Sequence, residues 1–387
     1  MKLVVNVIDG QFCKAQFYIS AQEVKNTFNA FENNGIFRGH KENVDINEVY
    51  AYIQKTLIIS EIIERGYTPL RTVKYFYYNE LNRTMPLYGI VFFVIVPDNY
   101  SISLPYDIPN RVNVDIMEFE LNIKKELVSE GNINGNIGKN LVKLGLYDIV
   151  ESDAVSSSST VYYDLVKKVN GKDGKVGKII EKIDGLVINM DSIDNEATYK
   201  QLIGNKVNDI ALIVNNDEVH EFHINKIIDK KLYTNEKFNK DKLEGYSFED
   251  LKSLKEALAE AEVFKFKIKT YINYISKYAY ESSDFPATPL VFDFYKEQYI
   301  NKKISDDEIK LKISFEFIEK VIENKISEDE EGIYYSYQSK FLSALTNPLM
   351  LFIYTSLLNK EEIYECYTKY LVLKFCVDNN ITKGIYI

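Results

Sequence analysis

The chain has 387 residues, is 46% hydrophobic and carries a formal net charge of −10. That length and apolar content support two or three packed domains and exclude wholesale disorder. The acidic balance disfavours broad, non-specific binding to nucleic acid, and the longest apolar run, residues 85–96, is too short to span a bilayer, so no membrane partner is expected.

Arginine stops early: Arg38, Arg65, Arg71, Arg83 and Arg111 are all there are, and lysine supplies every later positive charge. A guanidinium grips carboxylate or phosphate with a planar fork, whereas lysine is a hydrated point charge, so any bidentate recognition rests on those five residues. Together with 30 tyrosines and no tryptophan, this usage reads as codon bias in an AT-rich genome: a phage, a mobile element or a bacterium. Cys13, Cys366 and Cys376 are odd in number and far apart, which fits neither a disulfide framework nor a CxxC site. A reducing, cytoplasmic location is expected, because Asp9 and Gly10 also break the first apolar stretch too early for a signal peptide.

Residues 3–8 and 11–19 read as strands joined by Asp9-Gly10, a dipeptide suited to a tight hairpin turn. Ser20 and Glu23 form a capping box that opens a helix over 21–33, and Gly35 is placed to stop it. A second helix is predicted over 47–65, with Val49, Ile53 and Leu57 on its apolar face and Gly66 at its end. Two strands follow, 72–78 and 87–96; the near-continuous apolarity of the second marks a central strand covered on both faces. Residues 1–110 thus read as one mixed domain.

A middle mixed domain is expected over 111–240. Asp115 and Glu118 cap a helix carrying Ile116, Phe119, Ile123 and Leu127, and residues 116–166 have the outline of a winged helix with its tip at 153–159. Beyond a glycine-lysine loop at 171–178, strands are predicted at 185–189 and 209–214, the latter pairing with 219–224. From Ser247 onward the pattern turns helical, giving a third domain over 241–387. Leu251, Leu254, Leu258, Ala261, Ile268, Ile272 and Ile275 make one long stripe broken at Lys265, although 263–272 also alternates as a strand would. Further helices are predicted at 306–324, 348–358 and 360–377. The fold class is therefore α+β: mixed N-terminal and middle regions followed by a mostly helical C-terminal region.

Chemical motifs fail one by one. The loop at 171–178 lacks the spacing and the hydroxyl residue of a phosphate loop. On a strand, His220 and His223 point to opposite faces and cannot share a metal. No histidine has a readable nucleophile or carboxylate partner, so no cofactor or metal is expected. The candidate binding residues are Arg38 and His40 in the loop after the first helix, Arg71, Tyr75, Tyr77 and Arg83 around the second hairpin, and a basic stretch of Lys167, Lys168, Lys172, Lys175 and Lys178. Arginine beside aromatic rings suits a protein hot spot or single-stranded nucleic acid. The leading expectation is a non-enzymatic interaction and assembly subunit with other protein subunits as partners. The alternatives are a nucleic-acid-binding subunit and a metal-dependent nuclease or nucleotidyl enzyme built from dispersed carboxylates.

Overall fold

A computed structural model describes residues 1–33, 46–97, 100–128, 132–170, 176–193, 195–215, 218–234, 237–238, 250–282, 285–302, 304–328 and 357–387. The chain is mixed α+β with a helical C-terminal region, as its pattern predicts. Strands β1 (Lys2–Asp9), β2 (Phe12–Ile19), β3 (Pro69–Tyr77) and β4 (Leu87–Ile95) form an antiparallel sheet in the order β1-β2-β4-β3. Gly10 turns the first hairpin at φ +48°, a left-handed conformation that glycine adopts without penalty. The apolar run of β4 is explained by its place between β2 and β3. Val91 and Phe93 enter a core with Leu3, Ala15 and Phe17 on one face, while Val94 and Val96 meet Phe12 and Leu70 on the other. Gly89 keeps the two strands close, since a Cβ there would lie 2.1 Å from the Phe76 carbonyl oxygen.

The first face is covered by helices. In α1 (Ala21–Asn33) the capping box forms as predicted: Ser20 N–H donates to Glu23 Oε2 at 2.9 Å, and Glu23 N–H donates to Ser20 Oγ at 3.3 Å. The helix predicted over 47–65 consists of α2 (Ile46–Tyr52), a π-helical segment (Ile53–Ile59) and α3 (Ser60–Glu64). A π turn shifts the buried row by one residue. The fully buried positions are therefore Val49, Ile53, Ile58 and Ile62, spaced four, five and four apart, and Leu57 is only partly covered. Such a turn amounts to one inserted residue. Deleting exposed Thr56 is expected to restore an even α spacing while keeping these four side chains on the core, lowering the thermal midpoint by only a few degrees. A loss of cooperative unfolding in that variant would reject the register argument.

The second face is covered by residues far away in sequence. Helix α8 (Pro289–Gln298) starts at Thr288, whose Oγ1 accepts from Val291 N–H at 3.4 Å, and α9 (Asp306–Glu328) follows it. Val291, Phe294, Tyr295, Ile309, Ile313 and Phe317 meet Phe12, Leu70 and Val94 in a single cluster. Helix α10 (Lys360–Asp378) begins with reciprocal bonds between Asn359 and Glu362 at 2.9 Å each, the predicted cap. Residues 348–356 of the helix predicted over 348–358 lie outside the described residues, as do Gly35 and Ser247.

A second antiparallel sheet contains β5 (Tyr147–Glu151), β6 (Thr160–Asn170), β7 (Val176–Asn189), β8 (Ile210–Asn215) and β9 (Glu218–Leu232). Its order is β5-β9-β6-β7, with β8 also paired to β9. Strand β9 thus separates β5 from β6, and residues 116–166 do not close the hairpin of a winged helix. Strands β7 and β9 are longer than their predicted segments, and β8 pairs with β9 as expected. One face of the sheet packs with α6 (Glu196–Leu202) around Leu202, Ala211, Phe222 and Ile224. A separate core joins α4 (Asn110–Val128), α5 (Asn136–Lys143) and the first half of α7 (Leu251–Tyr280) through Ile123, Leu141, Leu254 and Leu258.

The described chain divides into two compact units assembled from discontinuous stretches: 1–114, 267–341 and 365–387, then 115–266 and 342–364. The stretch expected as one helical domain, 241–387, contributes to both. Residues 263–272 are helical, and the stripe residues from Leu251 to Ile275 are buried as the spacing predicts. Lys265 breaks that stripe and is exposed at the point where α7 leaves one unit for the other.

Candidate functional site

Two places concentrate chemistry. The first is a buried carboxylate centre in the unit that holds the first sheet. On α9, residues 313–319 are all buried, so Glu316 and Glu319 have no face on which to reach solvent. Glu316 accepts from Thr72 N–H at 2.8 Å, Thr72 Oγ1 at 2.6 Å and the Tyr295 hydroxyl at 2.8 Å, which ties α9 to β3 and α8. Burial lifts the Tyr295 hydroxyl well above its ordinary pKa, and the neighbouring Glu316 charge adds to the effect. Glu319 sits 3.4 Å from Arg71 Nη2. Burial raises its carboxyl to about 7, with Glu323 and Glu316 pushing the same way and Arg71 and Thr368 opposing. Glu365 is also desolvated, but Lys369, Lys312 and Arg71 overcome that and hold it below the usual carboxylate range.

Beside this centre lies a cleft of about 480 Å³, lined by Asp293, Lys296, Glu297, Tyr299, Ile300, Ile304 and Ile309. Its volume is that of a small-molecule pocket. Tyr299 links the two features: burial and the Glu316 charge raise its hydroxyl pKa, and the Lys312 ammonium lies 4.9 Å from its ring. The charged rim is internally matched, Lys296 to Asp306 at 2.8 Å and Glu297 to Lys74 at 3.1 Å. Among the described residues, no group of three or more His, Cys, Asp or Glu side chains could hold a metal ion.

The second place is the border of the sheets. Among the described residues, strands β1 and β8 each pair with a single neighbour. On β1, Val4, Val7 and Ile8 are about half exposed, and on β8 so are Ile210, Leu212 and Val214. The exposed face beside β8 carries a polar network: Lys168 Nζ bonds Glu221 Oε1 at 2.6 Å, and Glu221 Oε2 lies 3.2 Å from His223 Nε2. Lys168, then His223, depress the Glu221 carboxyl. His220 bonds Glu218 at 2.9 Å instead, so the two imidazoles serve opposite faces.

The predicted binding residues do not converge. Arg71 is the third residue of β3 and is held by Glu319, with its guanidinium 6.0 Å from the Phe315 ring. Arg83 lies in the turn beyond the far end of that strand and donates to Asn29 Oδ1 at 2.6 Å. Tyr75 and Tyr77 turn into the core against Tyr50, and the Tyr77 hydroxyl accepts from Gln54 Nε2 at 2.9 Å. Burial pushes the Tyr77 hydroxyl up to about 12. Lys167 is paired with Glu181 at 2.5 Å and Lys168 with Glu221, whereas Lys178 is exposed on β7. Arg38, His40, Lys172 and Lys175 lie outside the described residues. The carboxylate centre escaped the sequence reading, and its signal was two acids set in the apolar run Ile313–Ile318 and just after it.

No family model and no curated protein matches the chain. Among solved structures, the chain is similar to one from work on promiscuous substrate recognition in the folding and assembly activities of the trigger factor chaperone. The identity is 9% over 98% of this chain and 100% of that one, and the TM-score of 0.24 is too low to show a shared fold.

Proposed function

We propose that the chain is a non-enzymatic interaction and assembly subunit, working in the cytoplasm as part of a larger protein complex. The observation that carries this reading is strand edges that no other strand pairs among the described residues, with half-exposed aliphatic side chains, Val4, Val7 and Ile8 on β1 and Ile210, Leu212 and Val214 on β8. An open edge presents a row of backbone donors and acceptors, and added strands dock on such rows. Aliphatic side chains beside that row supply apolar area that a solvated edge lacks. The ion pairs of Lys167 and Lys168 leave less free positive charge for phosphate than the sequence offers.

In extract from its native source, the tagged chain is expected to sediment well above the mass of one chain and to stay there after nuclease treatment. Sedimentation as a single chain in fresh extract would overturn the assembly reading. Collapse to a single chain on nuclease treatment would replace it with the nucleic-acid one.

A further inference from the structure

We infer that the outer edge of β8 is the docking strand for a second copy of this chain, joining two second sheets across a two-fold axis at Leu212. This deepens the assembly reading and rests on it. The backbone register selects the residues. Ile224 N–H donates to the Asp209 carbonyl at 3.0 Å, so the ladder bonds to β9 continue at alternate residues, Ala211 and Ile213. The N–H and C=O groups of Ile210, Leu212 and Val214 therefore point away from β9, and among the described residues no strand meets them. These are the same three residues whose side chains are exposed, at 50%, 48% and 63%.

An antiparallel copy centred on Leu212 sets Leu212 against itself and Ile210 against the partner copy's Val214. Every outward donor then faces an acceptor, giving six backbone hydrogen bonds and a continuous aliphatic row across the joint.

Charge identifies the occupant. The other edge strands carry ionisable residues: Lys2 and Asp9 on β1, Arg71 and Lys74 on β3, Asp148 and Glu151 on β5, and Lys178, Glu181, Lys182 and Asp184 on β7. Charged residues on an edge are the usual guard against edge-to-edge pairing, and β7 adds irregular register. Strand β8 reads IALIVN and has no charge, proline or register shift. Strand β8 is also its own complement: an antiparallel copy sets aliphatic against aliphatic at each outward position and opposes no two charges. The joint is smaller than a stable interface of about 1,200 Å² or more, so the dimer is reversible and concentration-dependent.

Sedimentation of the purified full chain over two decades of concentration is expected to show a monomer–dimer equilibrium. Leu212→Lys puts two ammonium groups face to face at the axis and is expected to raise the half-association concentration by at least about ten-fold. Leu212→Pro does the same without breaking a ladder bond to β9, because the lost N–H points outward. Register has its own test, since the native Cys13, Cys366 and Cys376 are buried. Under mild oxidation Leu212→Cys is expected to cross-link to itself, while Ile210→Cys and Val214→Cys cross-link only when mixed. Dimers indifferent to all these changes would overturn the β8 assignment and leave the assembly reading standing. A monomer at every concentration would overturn the assignment too, and the extract experiment would then judge the assembly reading alone.

Discussion

Glu319→Gln is expected to stabilise the protein by about 3 kcal/mol at pH 8 and to change nothing at pH 4. In the folded chain the Glu319 carboxyl titrates at about 7 against an ordinary value of 4.5, chiefly because it is buried. The folded state therefore holds this proton more tightly than the unfolded state does. Stability is intact below pH 4.5, declines as pH rises through that interval and is lowest above 7. At about 1.4 kcal/mol per pH unit, the full interval costs about 3 kcal/mol. The groups facing the carboxyl are Glu316 and Glu323 from its own helix, Arg71 from β3 and Thr368 from α10. Glutamine keeps the neutral shape and removes the titration. Urea midpoints of both proteins between pH 4 and 8 measure it, and a difference that does not grow with pH would refute the placement of Glu319.

Glu316→Ala is expected to do the opposite and cost about 3–5 kcal/mol. Its carboxylate is the common acceptor for the Thr72 N–H, the Thr72 hydroxyl and the Tyr295 hydroxyl, all within 2.8 Å. Truncation orphans one buried donor, the Tyr295 hydroxyl, and two part-buried ones on Thr72, each costing about 1–3 kcal/mol and least where water can enter. Tyr295→Phe removes one donor and leaves Glu316 its two bonds to Thr72, so it is expected to cost only about 1–2 kcal/mol. Denaturant unfolding of the two single variants and the double variant gives the coupling energy, which is strongly non-additive if the carboxylate is shared. Additive losses would mean that the Tyr295 hydroxyl is not held by Glu316.

Most local structure was legible because it depends on neighbours in sequence. The capping box at Ser20, the turn at Asp9-Gly10 and the stripe from Leu251 to Ile275 each follow from spacing alone. Spacing misleads where the backbone departs from 3.6 residues per turn, and so Ile58 rather than Leu57 is the buried residue after Ile53. Pairing between distant strands was not legible either. Strands β5 and β6 have the composition of a hairpin, yet β9 lies between them, because a sheet is ordered by packing rather than by chain order. The same limit hid the carboxylate centre, whose members come from β3, α8, α9 and α10 and share no motif. The tyrosines of β3 looked like a binding surface because sequence cannot tell which side of a strand receives a helix. Strand β8 was read as a strand, but only the register shows which of its backbone groups point outward.

The first sheet also dictates an order of events at the ribosome. Its second face, with Phe12, Leu70, Val94 and Val96, is closed by α8 and α9, which are synthesised about 200 residues after β4. At roughly 5–20 residues per second that face waits on the order of 10–40 s for its cover. Throughout that interval the nascent chain displays a finished hairpin pair with one greasy side bare. Expression yield should therefore depend on translation speed and on holdase supply more than the stability of the finished protein implies.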